Sequence, residues 1–118
     1  MKKLICSFGF AFKGIAHAAA TQLNFRIHLA ASVIAVLLGF LLRISAGEWL
    51  WIILCITLVT SAELFNSAIE TLTDLVSPAY NEQAGRTKDM GAGAVVITAI
   101  FALITGIIIF LPKLLSLF

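Results

Sequence analysis

Glu63, Asn66, Ser67, Glu70 and Asp74 recur at steps of three and four within a stretch otherwise as apolar as a membrane span. At about 100° per residue, this spacing gathers the polar side chains onto one helical stripe roughly 100° wide. An ionisable residue in a bilayer helix costs about 2.5–3.5 kcal/mol on insertion scales, so such residues mark a functional site by default. Glu63, the deeper and partly desolvated carboxylate, suits a general base for a hydroxyl nucleophile. Glu70 could hold a divalent cation, because Mg2+ is commonly bound through one or two carboxylates together with substrate phosphates. Asn66 lies between them and can orient either by hydrogen bonding. Further along, Arg86 and Lys88 supply positive charge for phosphates, and Asp89 sits where the next apolar run begins. No Gly-rich phosphate loop of the Walker or protein-kinase type occurs, so a nucleotide would be held by an unrelated arrangement.

The elements that must position these groups are membrane helices. Of the 118 residues 61% are hydrophobic and only 12% charged, about half the charge of a soluble domain. The chain is too short for several soluble domains and reads as a single membrane-embedded domain, residues 1–118. Its net charge of +2 gives no basis for nucleic-acid binding. Cys6 and Cys55 fit neither a metal spacing nor a disulfide framework and read as small apolar fillers.

Following the charges, three spans are expected at about 27–45, 49–76 and 90–111. Trp49 and Trp51 read as interfacial anchors after a Ser45-Ala46-Gly47 turn, and Ser77-Pro78 stops the second span. From Trp49 to Asp74 is roughly 38 Å of helix against a hydrocarbon core of about 30 Å, so the end bearing Glu70 and Asp74 overhangs one surface. In the third span Ala94, Thr98, Ala102 and Gly106 form a ladder of small residues that reads as a packing face. Lys2, Lys3, Lys13, Arg26, Arg86 and Lys88 fall on one side of a three-span arrangement, and only Arg43 and Lys113 on the other. The first group therefore points to the cytoplasm, placing the N-terminus and the 77–90 connection on the side that holds ATP.

The N-terminus admits two readings. Lys2 and Lys3, the apolar run 4–12 and Ala16-His17-Ala18 mimic a signal peptide with its cleavage site. Against it, Leu4, Phe8, Phe12, Ile15, Ala19 and Leu23 follow helical spacing, with Lys13, His17, Thr21, Asn24 and His28 on another side, as in an amphipathic surface helix over about 3–25. Gln22 falls near the apolar face and would point toward the other helices if the segment stays helical. His17 and His28 read as solvated interfacial histidines, Arg26 as a headgroup and topology anchor, and Thr57, Thr60 and Thr71 as hydroxyls bonded back within their helix.

The run A-E-L-F-N-S-A-I-E-T-L-T-D over 62–74, followed by A-G-R-T-K-D-M-G-A-G-A-V over 84–95, resembles the signature of the prokaryotic diacylglycerol kinase and undecaprenol kinase family. The resemblance covers nearly the whole chain, including F-K-G at 12–14, and its motifs are specific. It implies an all-α membrane protein: three transmembrane helices plus an N-terminal amphipathic surface helix, assembled as a homotrimeric helical bundle with active sites shared between neighbours. It implies a kinase of the bacterial inner membrane that transfers the ATP γ-phosphate to a lipid hydroxyl with Mg2+, and that keeps its N-terminal segment. By the same resemblance Glu63 is the general base with Asn66 beside it, Glu70 is a metal ligand, and Lys88 and Asp89 lie at the nucleotide. Tyr80 and Asn81 fall against the adenosine, Asp74 continues the polar face, and Lys3 takes a basic position near phosphate or substrate.

One position departs from the family pattern. A second metal-binding glutamate usually stands where this chain has Gln22, in T-Q-L-N-F-R-I-H. Glutamine keeps a carbonyl oxygen but loses the charge, which implies weaker Mg2+ binding, substitution by another acidic group, or a catalytically weakened member; the first is preferred because the rest of the set is intact. The T-x-x-N-F-R-I-H and I-I-F-L-P-K-L stretches look more like the undecaprenol-kinase branch, although no residue's chemistry chooses between diacylglycerol and undecaprenol. The competing reading is a small proton- or ion-coupled membrane transport protein with Glu63 as the carrier carboxylate. A transport carboxylate belongs near the midplane with access from both sides, whereas this stripe marches to one surface and ends beside Arg86-Thr87-Lys88-Asp89.

Overall fold

The computed structural model describes residues 1–118 as four helices and no strand: α1 (Lys2–Thr21), α2 (Leu23–Leu41), α3 (Ala46–Val76) and α4 (Glu82–Leu115). All four are long and apolar enough to cross a membrane, α1 included, so length and composition do not by themselves mark α1 as a surface helix. Large apolar side chains such as Phe8, Phe12, Leu41, Phe65 and Ile108 lie on the outside. Such a surface is stable when hydrocarbon or another apolar surface, not water, surrounds the bundle.

The first break falls earlier than expected. α1 stops at Thr21 instead of near 25, and α2 begins at Leu23 instead of 27, because Gln22 alone adopts an extended backbone (φ −108°, ψ 110°). Its N–H still donates to the Ala18 carbonyl (2.8 Å) and its carbonyl accepts from the Arg26 N–H (3.2 Å), so one residue caps both helices. Phe25, 1% exposed, then pins the start of α2 into the bundle.

The second connection occupies 42–45, not 45–47. Arg43 takes a left-handed conformation (φ 53°), Ile44 is buried, and Ser45 starts α3 with a capping box. Ser45 Oγ accepts from the Glu48 N–H (3.2 Å) while Glu48 Oε1 accepts from the Ser45 N–H (2.9 Å), satisfying two helix-end donors at once. Trp49, expected as an interfacial anchor, packs across α2. A Cβ at Gly39 would meet its Cη2 at 2.6 Å, so only glycine lets the indole lie there, and its ring stacks at 4.9 Å from Phe40. Behind this corner Ile44, Ile52, Ile109 and Phe110 form the apolar core.

α3 and α4 form the principal helix pair of the bundle. α3 buries Ile52, Cys55, Val59, Glu63 and Asn66 along one line, so its contact stripe is apolar in its first half and polar in its second. Thr57, Thr60 and Thr71 bond back to the carbonyls of Ile53, Ile56 and Ser67, as expected. α4 starts at Glu82, ahead of the span expected at 90–111, because Asn81 Oδ1 accepts from the N–H groups of Gln83 (2.8 Å) and Ala84 (3.3 Å). It runs through Pro112, the expected stop, to Leu115. Its contact line is Gly91, Val95, Thr98, Ala102 and Ile109, whereas Ala94 of the expected ladder is exposed. Steps of four drift by about 40° each, so a strict four-residue ladder leaves the interface and alternating steps of three and four stay on it.

Candidate active site

The polar half of the α3 stripe holds the one carboxylate the fold buries. Glu63 is 3% exposed and Asn66 5%. Asn66 Nδ2 donates to Glu70 Oε1 (3.4 Å), one turn toward the helix end, as the spacing suggests. Its Oδ1, aimed toward α4, has no partner, and neither does Ser67 Oγ. An unpaired buried polar atom costs about 1–3 kcal/mol, so two on adjacent residues are unusual for purely structural positions.

Gly91 is what allows α4 to close on this stripe. A Cβ there would stand 2.5 Å from Asn66 Oδ1 and 3.6 Å from Ile69 Cδ1. From α2, His28 Nε2 reaches to 3.8 Å from Glu63 Oε2, with the imidazole half-buried. From sequence alone His28 reads as a solvated interfacial histidine; the fold turns it inward. Its burial follows from α2's own pattern: His28 lies three residues from the buried Phe25 and shares its face with Ser32 and Ala35.

Toward the 77–81 connection the stripe opens into a cavity of about 370 Å3. Asp74, Tyr80, Asn81, Lys88 and Asp89 all line it, so five residues expected at the nucleotide share one cavity. Lys88 Nζ pairs with Asp74 Oδ1, joining α4 to α3 across the cavity. Asn81 contributes here with its side-chain oxygen already engaged as the α4 cap. Arg86 instead turns outward to Glu82 (2.7 Å). Lys3 is exposed in the first turn of α1 and lines none of these cavities.

The residues expected to bind a divalent ion are only partly assembled. No three His, Cys, Asp or Glu side chains come together anywhere in the chain. Glu70 offers a carboxylate and Asn66 an unpartnered carbonyl oxygen one turn away, hard donors that fit an ion shared with phosphates and do not fit a closed protein cage. Gln22 lines a different cavity, with Ser67 and Thr71 on the adjacent flank of α3. Glu70 does not line that cavity.

A third hollow, an apolar groove of about 290 Å3 between α2, α3 and α4, runs from His28 toward Ile52 and Phe110. Along α3 the buried Glu63 comes after Val59, the last α3 residue of that groove, and before Asp74, the first residue of the charged cavity.

Comparison with known proteins identifies a family. The sequence model of one family, described as prokaryotic diacylglycerol kinase, matches residues 9–110. The undecaprenol kinase of Bacillus subtilis is 40% identical over 114 residues, covering 97% of this chain and 93% of that protein. The diacylglycerol kinase of Synechocystis is 43% identical over 115 residues (97% of this chain, 66% of that protein). That of Escherichia coli K12 is 36% identical over 103 residues (87% and 84%). With Glu63 and Asn66 buried on one helix and Lys88 of the next paired to Asp74, and with the match spanning most of the sequence, the chain belongs to the prokaryotic diacylglycerol kinase family.

Proposed function

We propose that the chain is a lipid kinase that moves the γ-phosphoryl group of ATP to the hydroxyl of a membrane lipid. One observation carries this reading: Glu63 is buried on the α3 stripe between Val59, where an apolar groove ends, and Asp74, where a charged cavity begins. A transport carboxylate would need a polar route on both sides, but beyond Glu63 toward the α3 start the stripe is Val59, Cys55 and Ile52.

In the proposed reaction Glu63 accepts the proton of the lipid hydroxyl as its oxygen bonds to the γ-phosphorus. The bond from that phosphorus to the bridging oxygen breaks, and the electron pair leaves with ADP. Positioning and charge stabilisation account for most of the rate in phosphoryl transfer, and a placed base adds about 10²–10⁴-fold. Asn66 holds Glu70 by its amide and leaves its own oxygen free. Glu70 would hold Mg2+, which supplies neutralising charge at the phosphates when bound. Lys88 is the cation for the phosphates, and Asp74 and Asp89 orient it and the nucleotide, with Tyr80 and Asn81 at the cavity mouth.

The outward apolar faces and the incomplete metal ligand set support a homotrimer in which a neighbouring subunit completes each site. Gln22 and Lys3 enter the site in this reading only through such a neighbour. The distribution of Lys and Arg supports an inner-membrane protein with a cytoplasmic N-terminus and 77–90 connection, and with α1 lying on the surface.

The test is incubation of the detergent-solubilised protein with γ-labelled ATP, Mg2+ and either diacylglycerol or undecaprenol. Label in one lipid phosphate names the acceptor; transfer to neither lipid contradicts the proposal. Diacylglycerol and undecaprenol are both open, since the relatives carry both names.

A further inference from the structure

His28 lines the apolar groove and also approaches the Glu63 carboxylate. Apart from Ser32 and Cys55 it is the only polar residue in a lining made chiefly of Ala31, Ala35, Val59 and Ala102. Ser32 Oγ is already occupied, donating to the His28 carbonyl (2.8 Å). The separation of His28 Nε2 from Glu63 Oε2, 3.8 Å, is too long for a direct hydrogen bond. It is a gap that one hydroxyl oxygen bridges at ordinary hydrogen-bond distances to both sides.

We propose that His28 and Glu63 together hold the acceptor hydroxyl, with the lipid's hydrocarbon chain lying in the groove below them. The inference rests on the lipid kinase reading and deepens it. With its proton on Nε2, the imidazole donates to one lone pair of the hydroxyl oxygen and so aims the other at the γ-phosphorus. The hydroxyl proton goes to Glu63 as the new oxygen–phosphorus bond forms and the electron pair departs with ADP. His28 neither gains nor loses a proton. A hydrocarbon lacking the hydroxyl fills the groove but leaves the imidazole without a partner.

Steady-state kinetics and a binding measurement test this together. His28→Ala is expected to raise the KM for the lipid about three- to tenfold, the worth of one neutral hydrogen bond, and to lower kcat, with the KM for ATP unchanged. His28→Gln, which keeps a donor at similar reach, is expected to recover most of the loss. Ala102→Leu, which fills the groove, is expected to raise the lipid KM alone. In wild-type protein without nucleotide, the 15N resonance of His28 Nε2 is expected to shift on addition of farnesol and to stay in place with farnesene, which lacks the hydroxyl. Unchanged lipid kinetics in His28→Ala would overturn the proposal. So would an equal loss toward lipid and ATP that His28→Gln does not recover, or identical resonance responses to the two probes. Failure of the wild type to phosphorylate any lipid would overturn the kinase reading instead, while the resonance experiment still decides whether His28 binds a lipid hydroxyl.

Discussion

Helices α3 and α4 are clasped by a lysine–carboxylate pair near each end, Glu48 with Lys113 (3.3 Å) at one and Asp74 with Lys88 at the other. The two pairs have the same chemistry, and what stands behind them differs. Behind Glu48 are a capping box that uses its carboxylate, an indole fitted onto Gly39, and the core of Ile44, Ile52, Ile109 and Phe110. Behind Asp74 are a buried carboxylate, two buried polar atoms without partners and a cavity lined by charges. An ion pair between two helices is therefore no sign of function by itself. The sign is polar groups kept buried and unsatisfied nearby, an arrangement that lowers stability and persists where chemistry needs it.

The largest expected effect is at Glu63. Glu63→Gln should lower kcat about 10²–10⁴-fold, while thermal unfolding in detergent shows a Tm that holds or rises, because a buried carboxylate has been replaced by a neutral amide. A next test pairs the two glycines of close approach. Gly91→Ala and Gly39→Ala should each cost about 1–3 kcal/mol in unfolding, since an added methyl meets Asn66 Oδ1 in one and the Trp49 ring in the other. Only Gly91→Ala should also reduce turnover, by tenfold or more; equal activity losses would erase the distinction between the two ends. The ion pairs give a smaller contrast. Asp74→Asn should raise the KM for ATP about tenfold, and Glu48→Gln should leave that KM unchanged while lowering Tm. The smallest effect is expected at Gln22. Gln22→Glu should lower the Mg2+ concentration for half-maximal rate by a few-fold, and an unchanged requirement would place Gln22 outside the metal site.

The polar end was more legible in the sequence than the apolar one, for a physical reason. Carboxylates at helical spacing in a membrane helix stand out against their surroundings, so the Glu63–Asp74 stripe and its facing Lys88 and Asp89 could be read directly. Packing partners carry no such contrast. Trp49 reads as an interfacial anchor, and nothing in the sequence shows that it also packs over Gly39; Ala94 belongs to a ladder until the drift of the helix turns it outward. The break at Gln22 has neither glycine nor proline to announce it and depends on a single extended residue. Asn81 and Ser45 did carry readable start signals, each followed within three residues by backbone or carboxylate partners, but both were assigned to connections. His28 was missed because its polarity suggested solvent, whereas its register with Phe25 sets it facing Glu63.

The central claim is that the buried polar half of α3 is a phosphoryl-transfer site and the apolar half is scaffold. Its most direct test is transfer of label from γ-labelled ATP to lipid by wild type, Glu63→Gln and Glu48→Gln, compared in the same micelles. The account predicts labelled lipid from wild type and Glu48→Gln and essentially none from Glu63→Gln. Glu63→Gln labelling lipid as fast as wild type, or no transfer by the wild type to any lipid alcohol, would contradict it.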